Sequence, residues 1–188
     1  MCGMRFQFNQ IKATQAGAHL LKRNGGNMDM YIWIKMLYLA DKESMFKWEE
    51  PITGDSIASL QYGPVLSTVY DLTKGDCPTL REYWQTYISD ADCEANRISL
   101  KADPGVRDLS KAEIKILDSV FEEFKGFSFA EMKSHIHGLP EYEEVGGGSK
   151  DMPVEHLLRT NGKSTEEIQE AEKGHIQMRV AEMLFTKT

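Results

Sequence analysis

Apolar residues recur at helical spacing through most of the chain. Ala13, Ala16, Leu20 and Leu21 mark one helix face, with Asn9 placed to cap its start and Asn24-Gly25-Gly26 to end it. A second helix is expected to begin near Asn27-Met28-Asp29. Its Met30, Trp33, Ile34 and Leu37 stand at i, i+3, i+4 and i+7, and Ile32, Met36 and Leu39 fill the flanks. A helix that is apolar nearly all round belongs at the centre of a fold. There Lys35 and Asp41 stand out, because burying an unpaired charge is costly.

Pro51-Ile52-Thr53-Gly54-Asp55 reads as a turn. Residues 57–62 then alternate, with Ala58, Leu60 and Tyr62 on one side, as a short strand does, until Gly63-Pro64 stops them. Pro64 is expected to open the next helix, where its missing N–H is harmless. That helix carries Val65, Leu66, Val69, Tyr70 and Leu72 and ends near Lys74-Gly75. Residues 80–89 are amphipathic and helical in pattern, and residues 97–101 alternate like a strand before the turn Asp103-Pro104-Gly105. Ser110 and Glu113 form a capping box ahead of Ile114, Leu117, Val120, Phe121 and Phe124, and Ser128 caps a short helix over residues 129–136. Residues 146–149 read as a flexible loop. A last helix opens at Ser164, with Ile168, Ala171, Ile176, Val180, Met183 and Leu184 as its apolar positions. The expected fold is mainly α (α+β): a compact helical domain over residues 1–145 with a small antiparallel β element, and a C-terminal helical extension over residues 146–188.

Composition narrows the function classes. The chain has 188 residues, 41% of them hydrophobic, enough for a substantial core. Its net charge of −7 argues against wrapping nucleic acid, which is driven by phosphate neutralisation. The charge is uneven, since residues 1–40 carry Arg5, Lys12, Lys22, Arg23 and Lys35 against Asp29 alone. A basic first helix is either a solvated face or a local meeting point for an acidic partner or nucleic acid. Cys2, Cys77 and Cys93 are too few and scattered for a disulfide framework, which suits a reducing compartment. The longest apolar run, residues 30–40, contains Lys35 and is too short to span a bilayer. No export or lipidation signal is indicated at the N-terminus, so the expected location is cytoplasmic.

Motifs for catalysis are weak. Asn161-Gly162-Lys163-Ser164-Thr165 resembles the end of a phosphate-binding loop, but Leu157 stands where the pattern needs glycine. His135 and His137, with Glu131 and Glu141 nearby, raise a metal question, yet residues i and i+2 point to different sides of a helix. Cys77 has no distinguishing context. No catalytic residues, metal site or cofactor are expected. On the residues alone the chain is a mainly helical binding protein.

One block goes further. Lys35-Met-Leu-Tyr-Leu-Ala-Asp41, then Pro51-Ile-Thr-Gly-Asp55, then Gln61-Tyr-Gly-Pro-Val65, then Val69-Tyr70 with Lys74-Gly75 resembles, in order and gaps, the signature of the Panacea domain. This is the SocA-like antitoxin domain, also met in phage-associated GepA-type proteins. The strong similarity covers residues 10–76, with a weaker continuation to His135, Pro140 and Tyr142. The resemblance implies a non-enzymatic antitoxin that binds a co-encoded protein toxin and blocks it by direct contact. It also implies a possible adaptor role toward a protease, while nucleic acid and membrane are not expected partners. The alternatives are a phage-associated regulatory protein that binds a host factor and a metal-dependent hydrolase built on the His135/His137/Glu141 neighbourhood.

Lys35, Tyr38, Asp41, Tyr62, Gly63, Pro64 and Tyr70 are the candidate partner-binding residues. Lys35 and Asp41 are six apart and do not face each other, so each needs a partner elsewhere or a place at a crevice mouth. Tyr38 and Tyr62 reach the same region if the Tyr62-Gly63-Pro64 corner packs on the central helix. In the other reading these residues only tie that helix to the corner. Separately, the acidic residues Glu166, Glu167, Glu170 and Glu172 and the loop before them could let the last helix lie across a basic toxin. Otherwise that helix folds back through Ile176, Val180 and Met183.

Overall fold

The computed structural model describes residues 4–92 and 94–185. In chain order the elements are α1 (Gln10–Arg23), β1 (Asn27–Asp29), α2 (Met30–Trp48), β2 (Ile57–Leu60), β3 (Gly63–Leu66), α3 (Ser67–Thr73), α4 (Pro78–Tyr87), β4 (Arg97–Ser99), α5 (Lys111–Phe124), α6 (Phe129–His137), β5 (Ser149–Met152), α7 (Val154–Thr160) and α8 (Thr165–Phe185). The fold is mainly helical with two small antiparallel sheets, β1-β4 and β3-β2-β5. Cys2, Cys93 and the Met183 side chain lie outside what is described.

α2 is the axis of the fold. It packs against α1, α5, α6 and β3, and Trp33, Met36 and Tyr38 are fully buried. Each large apolar side chain so buried contributes roughly 1.5–3 kcal/mol. Gly17 lets α1 approach closely: a Cβ there would lie 2.7 Å from the Trp33 ring, whose Nε1–H donates to the Gly17 carbonyl at 3.0 Å. The caps expected from Asn9, Ser110 and Ser128 all form, the last two as complete capping boxes.

Two local expectations change, and one strand is new. α2 begins at Met30, next to the expected start, and the residues just ahead of it form a strand in which Asn27, Met28 and Asp29 pair with Ser99, Ile98 and Arg97. Asp29 then caps α2 by accepting the Ile32 N–H. Pro64 lies inside β3 opposite Ser59 instead of opening a helix. β3 is the edge of its sheet, where a residue without an N–H is tolerated with its nitrogen facing outward. Finally, Ser149 is not loop but the start of β5, which pairs with β2 from Leu60↔Ser149 to Ile57↔Met152.

The last two helices continue this attachment. Leu157 of α7 belongs to the main core, and Leu158, Ile168 and Ala171 pack with Met4 in a smaller cluster. Thus α8 does fold back, but through Ile168 and Ala171. Ile176, Val180 and Leu184 are exposed.

Candidate partner-binding site

The Gln61-Tyr62-Gly63-Pro64 corner is held through four consecutive main-chain carbonyls. Tyr142 Oη donates to the Gln61 carbonyl at 3.2 Å and Tyr31 Oη to that of Tyr62 at 3.0 Å. Lys35 Nζ donates to the carbonyls of Gly63 at 2.9 Å and Pro64 at 2.8 Å. Neither Gln61 nor Tyr62 has positive φ, so the turn is not one of the primed types that match hairpin twist. Gly63, at φ 93°, supplies the twist instead. A Cβ on Gly63 would lie 2.2 Å from Ile136 Cγ2, so α6 closes directly over the corner.

Lys35 is 1% exposed and has no carboxylate partner among the described residues. Its ammonium lies 5.2 Å from the centre of the Tyr31 ring, whose face favours a cation. Burial pushes its pKa down to about 7. Burial likewise pushes the Tyr31 hydroxyl up to about 12.

Asp41, six positions on, serves a different contact. Its carboxylate accepts the Thr53 hydroxyl and the Thr53 N–H, the latter at 3.1 Å. Burial pushes its pKa up to about 7, against the pull of those bonds. The Thr53 hydroxyl in turn accepts the Asp55 N–H. Asp55 accepts the N–H groups of Thr68 at 3.1 Å and Val69 at 2.9 Å, so it caps α3 from a distant part of the chain. Gly54 (φ 69°) passes against the Gln7 carbonyl, where a Cβ would come within 2.2 Å. The Pro51-Ile52-Thr53-Gly54-Asp55 turn is therefore a relay from α2 to the start of α3.

Tyr38 points to neither. Its hydroxyl donates to Glu141 Oε1 at 2.7 Å, beside Lys42 Nζ at 2.7 Å, while Asn161 Nδ2 donates to Oε2 at 2.8 Å. Glu141 is fully buried. Burial is the largest influence on its carboxyl and opposes the charge, but the bonds from Lys42, Tyr38 and Asn161 outweigh it and hold the pKa below the usual range. Burial raises the Tyr38 hydroxyl well above its ordinary value. The network joins α2 to Asn161 at the C-terminal end of α7.

Six of the seven candidates thus gather around α2 in three separate groups, while Tyr70, on α3, joins none of them. Lys35, Tyr38, Asp41, Gly63 and Pro64 are buried; Tyr70 is half-buried under Lys74, and Tyr62 is exposed. Tyr62 is joined at the surface by Phe129, with ring centres 6.2 Å apart, and Lys133 Nζ lies over its ring at 5.2 Å. Tyr62 and Phe129 are 48% and 46% exposed. Phe129, Lys133, Tyr31 and Lys42 escaped the sequence reading, since they lie outside the quoted motif pieces and meet the corner only in three dimensions.

The weaker motifs resolve into structure. Among the described residues no three His, Cys, Asp or Glu side chains gather to hold a metal ion. The His135 ring packs on Phe124, His137 stacks on Tyr142 at 4.4 Å, and the Glu141 carboxylate is committed to its own network. Ser164 and Glu167 form a reciprocal cap on α8, which accounts for the phosphate-loop likeness. The basic residues of α1 are paired within the chain: Lys12 with Glu113, Lys22 with Asp103, and Arg23 with Asp118 and Glu122. Among the described residues no helix is long and apolar enough to cross a membrane.

A family model described as antitoxin SocA-like, Panacea domain, matches residues 34–142. No curated protein and no solved structure matches the chain.

Proposed function

Because the chain belongs to the SocA-like antitoxin family of Panacea domains, we propose that it is the antitoxin of a toxin–antitoxin pair and neutralises a co-encoded protein toxin by direct contact. The observation that carries the contact surface is the exposure of Tyr62 at a corner whose carbonyls are held by Tyr142, Tyr31 and Lys35. An exposed aromatic on a rigid support loses little freedom when a partner covers it. Tyr62, Phe129 and Lys133 form the contact. The buried candidates Lys35, Tyr38, Asp41, Gly63 and Pro64 shape and hold it, with Tyr70 at its border. On this reading residues 1–145 are the antitoxin domain, and residues 146–188 are an extension that adds a strand and two helices to it.

The test is co-expression with the product of the neighbouring reading frame. The expected result is a neighbour that is toxic alone, harmless beside the wild-type chain, and toxic again beside a folded Tyr62→Ala/Phe129→Ala variant. A neighbour that is harmless alone removes the antitoxin reading. Full neutralisation by the double variant removes the contact surface but not the function.

A further inference from the structure

The chain contains two Asn-Gly steps, Asn24-Gly25 and Asn161-Gly162. With no side chain on the glycine to shield its nitrogen, such a step is where an asparagine most readily converts itself. The glycine nitrogen attacks the asparagine Cγ, a new N–Cγ bond forms, and the Cγ–Nδ2 bond breaks as ammonia leaves with the displaced proton. Water then opens the cyclic imide to aspartate or isoaspartate.

The two steps share one main-chain setting. Each asparagine is the C-cap of its helix, with ψ 16° at Asn24 and 17° at Asn161. Each glycine has positive φ, 78° and 96°, and its N–H donates three residues back, Gly25 to Lys22 at 3.2 Å and Gly162 to Arg159 at 3.1 Å. The next N–H reaches five back, Gly26 to Leu21 at 2.8 Å and Lys163 to Leu158 at 3.0 Å. Leaving this turn to close the imide ring is thus a cost common to both. Only the side-chain amides differ. Asn24 is exposed, and its Nδ2 donates to the Asn27 carbonyl at 2.7 Å. Asn161 is half-buried, and its Nδ2 donates both to the Leu157 carbonyl at 2.9 Å and to the buried Glu141 carboxylate at 2.8 Å. A bond to an ionised acceptor is about twice as strong as a neutral one.

We propose that Asn161-Gly162 is a self-deamidation site gated by Glu141, and that its conversion loosens α7 from α2 in one direction only. While Glu141 is held by Tyr38 and Lys42, it fixes the Asn161 amide, and the step is slow. When α7 opens, the amide is freed and can turn toward the Gly162 nitrogen. Conversion then leaves a carboxylate where a donor stood. Glu141 loses a bond and meets a like charge in a buried site, so α7 cannot dock as before. The loss of ammonia makes the change irreversible. The site is remote from the Tyr62 corner and does not depend on the partner being a toxin.

The test incubates the full-length chain at mildly alkaline pH, native and in urea, and follows aspartate and isoaspartate at both steps by peptide mapping and mass spectrometry. Asn24 is the internal standard, so the ratio of the two rates separates local release from global unfolding. In urea the rates are expected to agree within about threefold, and in the native chain Asn161 is expected to convert at least about tenfold more slowly than Asn24. Glu141→Gln, which removes the charge from the acceptor, is expected to raise the Asn161 rate about tenfold while the Asn24 rate holds. If the Asn24 rate rises to its urea value, that variant has unfolded, and the wild-type ratio and a second arm decide. The second arm makes Asn161→Asp directly and follows amide exchange by NMR. Exchange at Leu157 and Leu158 is expected to speed up about tenfold while that of Phe121 in α5 is unchanged. The proposal is overturned by equal native rates at the two steps, by an Asn161 rate that a folded Glu141→Gln chain leaves unmoved, or by wild-type exchange in Asn161→Asp.

Discussion

Lys35 Nζ reaches the Pro64 carbonyl across 2.8 Å from the middle of α2, so a buried cation holds a hairpin corner with no carboxylate opposite it among the described residues. The ammonium makes two bonds to carbonyls and meets the Tyr31 ring, which offsets part of the cost of taking it out of water.

This arrangement gives stability a distinctive pH dependence. Lys35 is depressed from 10.5 to about 7 in the folded chain, so between those values the unfolded chain binds more protons and stability rises with pH. Asp41 is raised from 3.8 to about 7, so between those values the folded chain binds more protons and stability falls as pH rises. These two groups together place a minimum near neutrality, with each unit of separation worth about 1.4 kcal/mol. Urea unfolding of Lys35→Met is expected to lack the rise above pH 7, and that of Asp41→Asn to lack the fall below it. Parallel curves for wild type and variants would contradict the assignment.

Gly63→Ala combines a positive φ with a Cβ 2.2 Å from Ile136 Cγ2. It is expected to cost about 2–4 kcal/mol, lowering Tm by roughly 4–16 °C. Adding Ile136→Ala removes the clash but not the strain, so thermal unfolding of the double variant should show less loss than the two singles summed.

Glu141→Gln leaves Lys42 without its carboxylate in a site where Lys42 is only 14% exposed. About 3 kcal/mol of stability should be lost in denaturant unfolding at pH 7. The folded-state pKa of Glu141 lies below 4.5, so its contribution is present above that value and fades as pH falls through the folded pKa. The difference between wild type and variant should therefore shrink in acid.

Tyr62→Ala and Phe129→Ala remove half-exposed rings, so thermal unfolding should move by no more than a few degrees while toxin neutralisation falls. Tyr38→Phe, which strips a donor from buried Glu141, should do the reverse, with about 1–2 kcal/mol lost and neutralisation kept at permissive temperature. If neutralisation tracks stability across all three, the corner is only support.

Truncation separates the halves of the C-terminal segment. A chain ended after residue 173 keeps β5, Leu157, Leu158, Ile168 and Ala171, and its thermal unfolding should stay within a few degrees of wild type. One ended after residue 148 loses the strand paired with β2 and Leu157 from the core, and is expected to be largely unfolded by circular dichroism.

Most helices were legible because their signals are local. The caps at Asn9, Ser110 and Ser128, and an α2 that is apolar nearly all round over its first three turns, need only neighbouring residues to be read. What the sequence left unread lies where a distant segment decides. Residues 27–29 become strand only because residues 97–99 lie alongside, Pro64 sits in a strand only because that strand is an edge, and Ser149 pairs only because β2 presents an open side. The motif block likewise marked Lys35, Asp41 and Tyr62 as special without giving their partners.

By itself the sequence determined a mainly helical chain around one apolar helix, and its motif block resembles that of the antitoxin family. Only the tertiary structure decided that Lys35 answers the Gly63 and Pro64 carbonyls, Asp41 answers Thr53, and Tyr38 answers Glu141. The physical reason is that a buried polar group must find a partner wherever the fold brings one within reach, and residue spacing along the chain does not encode that distance.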